Sequence, residues 1–292
     1  MIDFPDSPFL VPFDGGFSVS EAPTEPEARL SKKRASKALA EQVERLRDLQ
    51  RRLYAQDRYA VLLIFQAMDA AGKDSTIRAV MTGINPAGCQ VFSFKKPSTR
   101  ELDHDFLWRT AVRMPERGRI GVFNRSYYEE VLVVRVHPEL LRYQRLPEAG
   151  TDAAFWEGRY ASIREHEAHL ARNGTLILKF WLNVSQEEQK RRFLDRLEDP
   201  RKNWKFAAAD LEESRHWPAY MEAYQEALLQ TSRSWAPWYA IPADDKPTMR
   251  LRVAELFADA LASLDLAYPQ PAQAEKERFE EYRRALRDEV GP

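Results

Sequence analysis

A chain of 292 residues, 44% of them apolar by the broad count, is long enough for one large α/β domain or one domain with appended helices. Its 44 Lys and Arg against 45 Asp and Glu leave a formal charge of −1. That balance excludes coating nucleic acid by bulk positive charge, but not a local basic groove for a polyanion. No apolar run approaches the ~18 residues of a membrane span. The start, MIDFPDSPFLVPFDGG, lacks the basic head and apolar stretch of a signal peptide, so the cytoplasm is the expected location. The single cysteine, Cys89, excludes an internal disulfide and any Cys-rich metal site, and its place at the head of an apolar run predicts a packing role.

Residues 1–30, rich in Pro, Gly, Asp and Glu, show no sustained period and read as an irregular arm. Over 31–57, Leu39, Val43, Leu46, Leu49 and Leu53 recur at helical spacing with charges between them. Short β-rich runs follow at 60–66 (AVLLIFQ), 90–94, 120–123 and 175–184 (TLILKFWLNV), with a weaker one at 238–241. Helical stretches at 75–81, 100–113, 156–172 and 185–197 separate them, and one at 249–266 closes the domain. Strands apolar on both faces, alternating with helices, describe a parallel sheet covered on both sides. The tail AEKERFEEYRRALRDE reads equally as a helix or a disordered end. The expected division is an arm (1–30), an α/β domain (31–270, with a basic segment set off at about 190–215) and a charged tail (271–292).

The most informative segment is VLLIFQAMDAAGKDST, residues 61–76: a buried strand, a turn of small residues, Gly72-Lys73, then a helix. This is the context of a P-loop. Ala70, Ala71 and Gly72 leave room for the backbone N–H groups of residues 70–75, including Lys73, Asp74 and Ser75, to converge on phosphate oxygens. The helix N-terminus adds partial positive charge, and Lys73 reaches the transferring phosphate. Two features depart from the general pattern: Ala67 stands at the first Gly position, and Asp74 displaces the hydroxyl to Ser75. Asp69 inside the loop is either a helix N-cap or a Mg2+ ligand, directly or through water.

The second strand end reads RIGVFNRSYYEE, residues 119–130. Open parallel sheets bind ligands at strand carboxyl ends, which makes Asn124 and Arg125 nucleotide- and phosphate-binding candidates, Arg125 through a bidentate grip. Glu129 is either a solvated charge or a holder of magnesium-bound water, and Glu130 is left to solvent. In KKPSTRELDHDFLWR (95–109) Ser98 or Thr99 opens a helix, and Arg109 and Arg113 either face an acceptor pocket or stand in solvent. Residues 190–205, KRRFLDRLEDPRKNWK, break at Asp199-Pro200 where P-loop kinases commonly carry a mobile lid. Lys202, Trp204 and Lys205 are the lid candidates, with Arg191, Arg192 and Arg196 behind them, all suited to a phosphate chain.

Together these segments resemble the polyphosphate kinase 2 family. FQAMDAAGKDSTIR, KKPSTRELDHDFLWR, FNRSYYEEVLVVRVHPE, LKFWLNVSQEEQKRRFLDRL, DPRKNWKFAAADLEESRHW and APWYAIPADDK carry the likeness in order over roughly residues 35–270. Ala67, Asp74 and the NRS at the second strand resemble its class III, which acts on AMP and ADP. The resemblance implies a thymidylate-kinase-like three-layer α/β/α sandwich with a helical lid. It implies Mg2+ dependence, with Mn2+ as a substitute, and homo-oligomers, tetramers or dimers. It assigns Asp69, Lys73, Arg125 and Glu129 to catalysis, with inorganic polyphosphate and adenine nucleotides as partners and no nucleic acid or membrane. An ATP-dependent nucleoside monophosphate kinase and a P-loop nucleic-acid-binding ATPase are the alternatives, the basic lid speaking against the first and the neutral charge against the second.

Overall fold

The computed structural model describes residues 4–290; the first three residues of the expected arm and the last two of the tail lie outside it. Chain order is α1 (Lys32–Gln56), β1 (Ala60–Gln66), α2 (Lys73–Val80), β2 (Cys89–Ser93), α3 (Thr99–Leu102), α4 (Trp108–Ala111), β3 (Ile120–Asn124), α5 (Val133–Val136), α6 (Ala153–Arg172), β4 (Thr175–Asn183), α7 (Gln186–Glu198), α8 (Ala208–Glu213), α9 (Trp217–Thr231), β5 (Trp238–Pro242), α10 (Lys246–Ala262) and α11 (Gln273–Val290). The five strands form one parallel sheet in the order β2-β3-β1-β4-β5. Every residue of β1, β3 and β4 is buried, as parallel strands require when helices cover both faces. α10 packs on α1 and α2, while α6 lies on β4 beside α9, which gives the three layers. Among the described residues no helix is long and apolar enough to cross a membrane.

Both sheet edges differ from the centre. β2 is only half-covered, with Val91 exposed. β5 is fully buried because the arm runs beside it: Val11 N donates to Trp238 O (2.9 Å) and Ala240 N to Phe9 O (2.8 Å), with Leu10 bridging Tyr239. The arm has no regular secondary structure, yet Val11 is wholly buried. Cys89 is half-buried against the core, and burial raises its thiol to about 11, so it stays protonated.

Two elements differ from expectation. The single helix expected over 100–113 is two short ones, because Asp105 accepts from Leu107 N (2.9 Å) and turns the chain between them. α9 falls in a stretch to which the sequence pattern assigns no element. Tyr220, Ala223, Tyr224, Ala227, Leu228 and Thr231 form its buried face at helical spacing, but alanines and a threonine among them leave the apolar stripe weak in the sequence. The tail resolves as a helix, α11, exposed along most of its length.

Candidate active site

The loop after β1 turns through Ala70 (φ 62°) and Gly72 (φ 112°), both in the left-handed region, before α2 begins. Gly72 occupies the N-cap and supplies no side-chain cap, so the first N–H groups of α2 are open to an anion. Ser75 and Thr76 turn their hydroxyls onto Gly72 O (2.9 and 3.0 Å); Ser75 therefore offers a phosphate its backbone N–H. Lys73 is buried and curls back on its own loop, donating to Ala67 O at 2.5 Å. Burial, then the Arg125 charge, lowers it to about 8 against the pull of Asp69, Glu129 and Asp74.

At the end of β3, Arg125 (φ 64°) also stands in the left-handed region. Its guanidinium lies between two carboxylates, 2.8 Å from Asp69 Oδ1 and 3.3 Å from Glu129 Oε2. Glu129, burial-opposed, and Asp69 hold that charge more firmly than usual. Asp69 is thus not the N-cap. Asp74 accepts from Asn124 Nδ2 (2.5 Å), which also reaches Ser93 Oγ (3.4 Å), so Asp74 contributes an N–H rather than its carboxylate to the loop. The ends of β1 and β3 therefore bring Asp69, Lys73, Asp74, Asn124, Arg125 and Glu129 together.

Glu130 corrects the expectation of solvent. The turn Tyr127–Glu130 is a 3-10 helix, and it directs Glu130 inward to Gln144 (2.9 and 3.0 Å) and Arg159 (3.2 Å), where burial raises its pKa. The same turn stands on a buried ionic network. Lys179, inside β4, donates to Glu167 Oε2 (2.6 Å), Tyr128 OH (2.8 Å) and Thr231 O (2.8 Å), while Tyr127 and Tyr128 both donate to Glu167 Oε1 (2.8 Å). Lys179 and Glu167 are both fully buried.

The basic run after β4 divides. Arg192 corrects the phosphate assignment: its guanidinium is buried and its donors are all spent within the chain. It binds Glu188 (2.6 Å), the carbonyls of Ala70 (3.0 Å) and Ala71 (2.6 Å), and those of Ala243 (2.7 Å) and Asp244 (3.1 Å). With Gln189 donating to Asp69 O (3.0 Å), it braces the phosphate loop from behind. Arg191 is exposed and pairs with Glu188. Arg196 binds Asp210 and Lys205 O (3.2 Å each), Lys202 binds Asp199 (3.1 Å), and Lys205 lies 5.0 Å over the Trp204 ring, which is 78% exposed. Arg109 and Arg113 lie apart from this group at β2. Arg109 stacks on Phe94 (5.3 Å), donates to Lys95 O (2.7 Å) and pairs with Glu101 (3.4 Å); Arg113 stacks on Phe92 (5.4 Å).

A small pocket beside Asp69, Arg125 and Glu129 is also lined by Glu213, which lies within the DPRKNWKFAAADLEESRHW segment but was given no role, and by Tyr220 and Tyr224, which lie outside every motif. Tyr220 OH donates to Glu213 Oε2 (2.7 Å), and His137 Nε2 lies 3.0 Å from the same oxygen. Among the described residues no three His, Cys, Asp or Glu converge as a metal cage. Two carboxylates beside a phosphate loop nonetheless fit Mg2+, which takes one or two protein oxygens and draws its remaining ligands from phosphate and water.

A parallel sheet of this order, a phosphate loop at its central strand and a helical lid after β4 define a P-loop kinase. The polyphosphate kinase 2 family model matches residues 29–269, and the chain belongs to that family of phosphotransferases. It is 56% identical over 257 residues to the ADP-polyphosphate phosphotransferase of Rhodopseudomonas palustris, covering 88% of this chain and 89% of that protein. Identity to the AMP/ADP-polyphosphate phosphotransferase of Meiothermus ruber is 45% over 243 residues, covering 83% and 87%. The crystal structure of polyphosphate kinase 2 from Arthrobacter aurescens TC1 superposes with a TM-score of 0.85 at 39% identity, covering 96% of this chain and 99% of that one.

Proposed function

We propose that this chain transfers the terminal phosphate of inorganic polyphosphate to AMP and to ADP, in a reversible reaction that requires Mg2+. The observation that carries this reading is the buried Lys73 facing an arginine held between Asp69 and Glu129, at the open N-terminus of α2. The donor's terminal phosphate rests on the N–H groups of residues 70–75, and Lys73 exchanges the carbonyls of Ala67 and Met68 for phosphate oxygens. Arg125 grips the transferring group, and Asn124 orients the nucleotide side. Asp69, with Glu129 through water, would hold Mg2+ (or Mn2+), whose charge offsets that of the phosphates. Arg196, Lys202 and Lys205 close over the acceptor as the lid comes down. The acceptor is itself an anionic phosphate, so positioning and charge neutralisation carry the rate without a strong general base. The kinase domain (31–270, lid about 190–215) holds the whole site, and homo-oligomers, tetramers or dimers, belong to the same reading.

The two curated relatives bear different acceptor names, ADP in one and AMP with ADP in the other. Purified protein with Mg2+ and long-chain polyphosphate, offered each acceptor separately, distinguishes them by chromatography of the products. ADP and then ATP appearing from AMP is the expected result. Product from ADP alone removes AMP from the reading. Activity with ATP and a nucleoside monophosphate, and none with polyphosphate, overturns the donor.

A further inference from the structure

The segment APWYAIPADDK contains two adjacent aspartates that cap two different helices. Asp245 caps α10, which it opens, by accepting from Thr248 N (2.9 Å). Asp244 reaches across the end of the sheet instead, and its Oδ1 accepts from Ser185 N (2.8 Å) at the start of α7. Ser185 is the N-cap of α7 and accepts from Glu188 N (3.1 Å). In a capping box the glutamate at that third position reaches back to the N-cap N–H. Here Glu188 gives its carboxylate to Arg191 and Arg192, and Asp244 takes the N–H in its place. Its negative charge also suits the positive end of the helix.

This cap fixes the half of α7 that faces the phosphate loop. Gln189, one turn on, donates to Asp69 O (3.0 Å), and among the described residues its Oε1 has no partner, so its hold on the loop is that single bond. Arg192 follows, gripping the carbonyls of Ala70 and Ala71 on one side and those of Ala243 and Asp244 on the other. Beyond Arg192 the contacts change. Arg196 binds Asp210 and Lys205 O, while Asn203 Nδ2 donates to Arg196 O (2.7 Å) and Leu197 O (2.8 Å). Residues 185–192 are thus tied to the sheet and the phosphate loop, and the rest of the helix is tied to the lid.

We propose that Asp244 is a positioning residue for phosphate transfer that acts through Gln189. It anchors the start of α7 to the end of β5, so that Gln189 keeps the Asp69 end of the phosphate loop in place while the second half of the helix moves with the lid. This rests on the polyphosphate reading above. Neither residue touches a substrate. The effect falls on the donor side, because the N–H groups of residues 70–75 receive the donor, whereas the acceptor is held by Asn124, Arg125 and the lid.

The test measures kcat and KM for long-chain polyphosphate, and separately KM for ADP, in Asp244→Ala, Asp244→Asn, Gln189→Ala and the double alanine variant, with melting temperatures alongside. Asp244→Ala should lower kcat/KM for polyphosphate on the order of tenfold and leave KM for ADP near that of the wild type. Asp244→Asn keeps an acceptor for Ser185 N and should recover most of the loss. Gln189→Ala should reproduce the pattern, and the double variant should lose little more than either single one, because both break the same linkage. An aspartate that is merely structural lowers the melting temperature and moves neither kinetic constant. That result for a folded Asp244→Ala overturns the proposal, as does a double variant whose losses multiply. If Asp244→Ala does not fold, Gln189→Ala decides, since it leaves the cap intact: unchanged polyphosphate kinetics overturn the linkage. A wild type that does not use polyphosphate removes the reading of the site instead.

Discussion

Lys73 spends its charge on the carbonyls of its own loop, at a position where burial and Arg125 already favour its neutral form. A phosphate at the loop reverses that balance. Held at about 8 in the free protein against an ordinary 10.5, Lys73 should make kcat/KM fall as pH rises through 8, while kcat persists to higher pH because bound phosphate keeps the lysine charged. Stability moves the other way. Between about pH 8 and 10 the unfolded chain binds protons that folded Lys73 and Lys246 have lost, so their contribution to unfolding free energy increases with pH. Buried tyrosines with raised pKa values oppose this trend at higher pH. A pH–rate profile set beside denaturation curves at the same pH values separates the two effects. Lys73→Ala and Asp69→Ala should each lower turnover on the order of 10² or more, and a variant within severalfold of wild type in steady-state assays refutes the assignment. Arg192→Lys keeps a charge but cannot supply donors to Glu188 and four carbonyls at once, so kcat should fall although the residue touches no substrate.

At the scale of elements, the turn carrying Arg125 and Glu129 is positioned from below. Its two tyrosines rest on Glu167 of α6, which is neutralised by Lys179 of β4. A lysine in the middle of a fully buried strand is tolerated only because carboxylate, phenol and carbonyl surround its ammonium. Lys179→Met strands Glu167 as a buried charge, and should cost roughly 3–5 kcal/mol in urea denaturation. Adding Glu167→Gln leaves an acceptor for both tyrosines without the charge, and should recover most of that loss. If the double variant is no more stable than the single one, the pair is not the source of the cost. Lys179 was legible as an anomaly in TLILKFWLN, but its partner was not. Glu167 lies on a separate helix, and nothing in the chain between them indicates that they meet.

For the whole molecule, the exposed edge of a parallel sheet is a hazard, since unpaired N–H and C=O groups recruit other chains. The arm answers it at β5 with two backbone hydrogen bonds, the Leu10 bridge and a bond from Tyr239 OH to Pro5 O (3.0 Å). Removing residues 1–24 should lower the melting temperature and produce concentration-dependent association in light scattering, with the phosphate loop itself intact. A truncated protein as monodisperse and stable as the full chain would show that the arm is dispensable. The arm carries only scattered apolar residues without a period, so its docking could not be read from local pattern. Val11 becomes core solely because β5 leaves a place beside it.

Local chemistry determined the parallel α/β architecture, the phosphate loop and the identity of the residues around it. Strand periodicity, small residues before Gly72-Lys73 and the NRS at the next strand end are properties of contiguous segments, and they act through the backbone they belong to. Only the tertiary structure decided what each charge does. It turned Arg192 inward as a brace, buried Glu130, set Arg125 between Asp69 and Glu129, and brought Lys246 beside Gly72. A side chain's charge is written in the sequence, whereas its partner and its access to water depend on which distant segments fold against it.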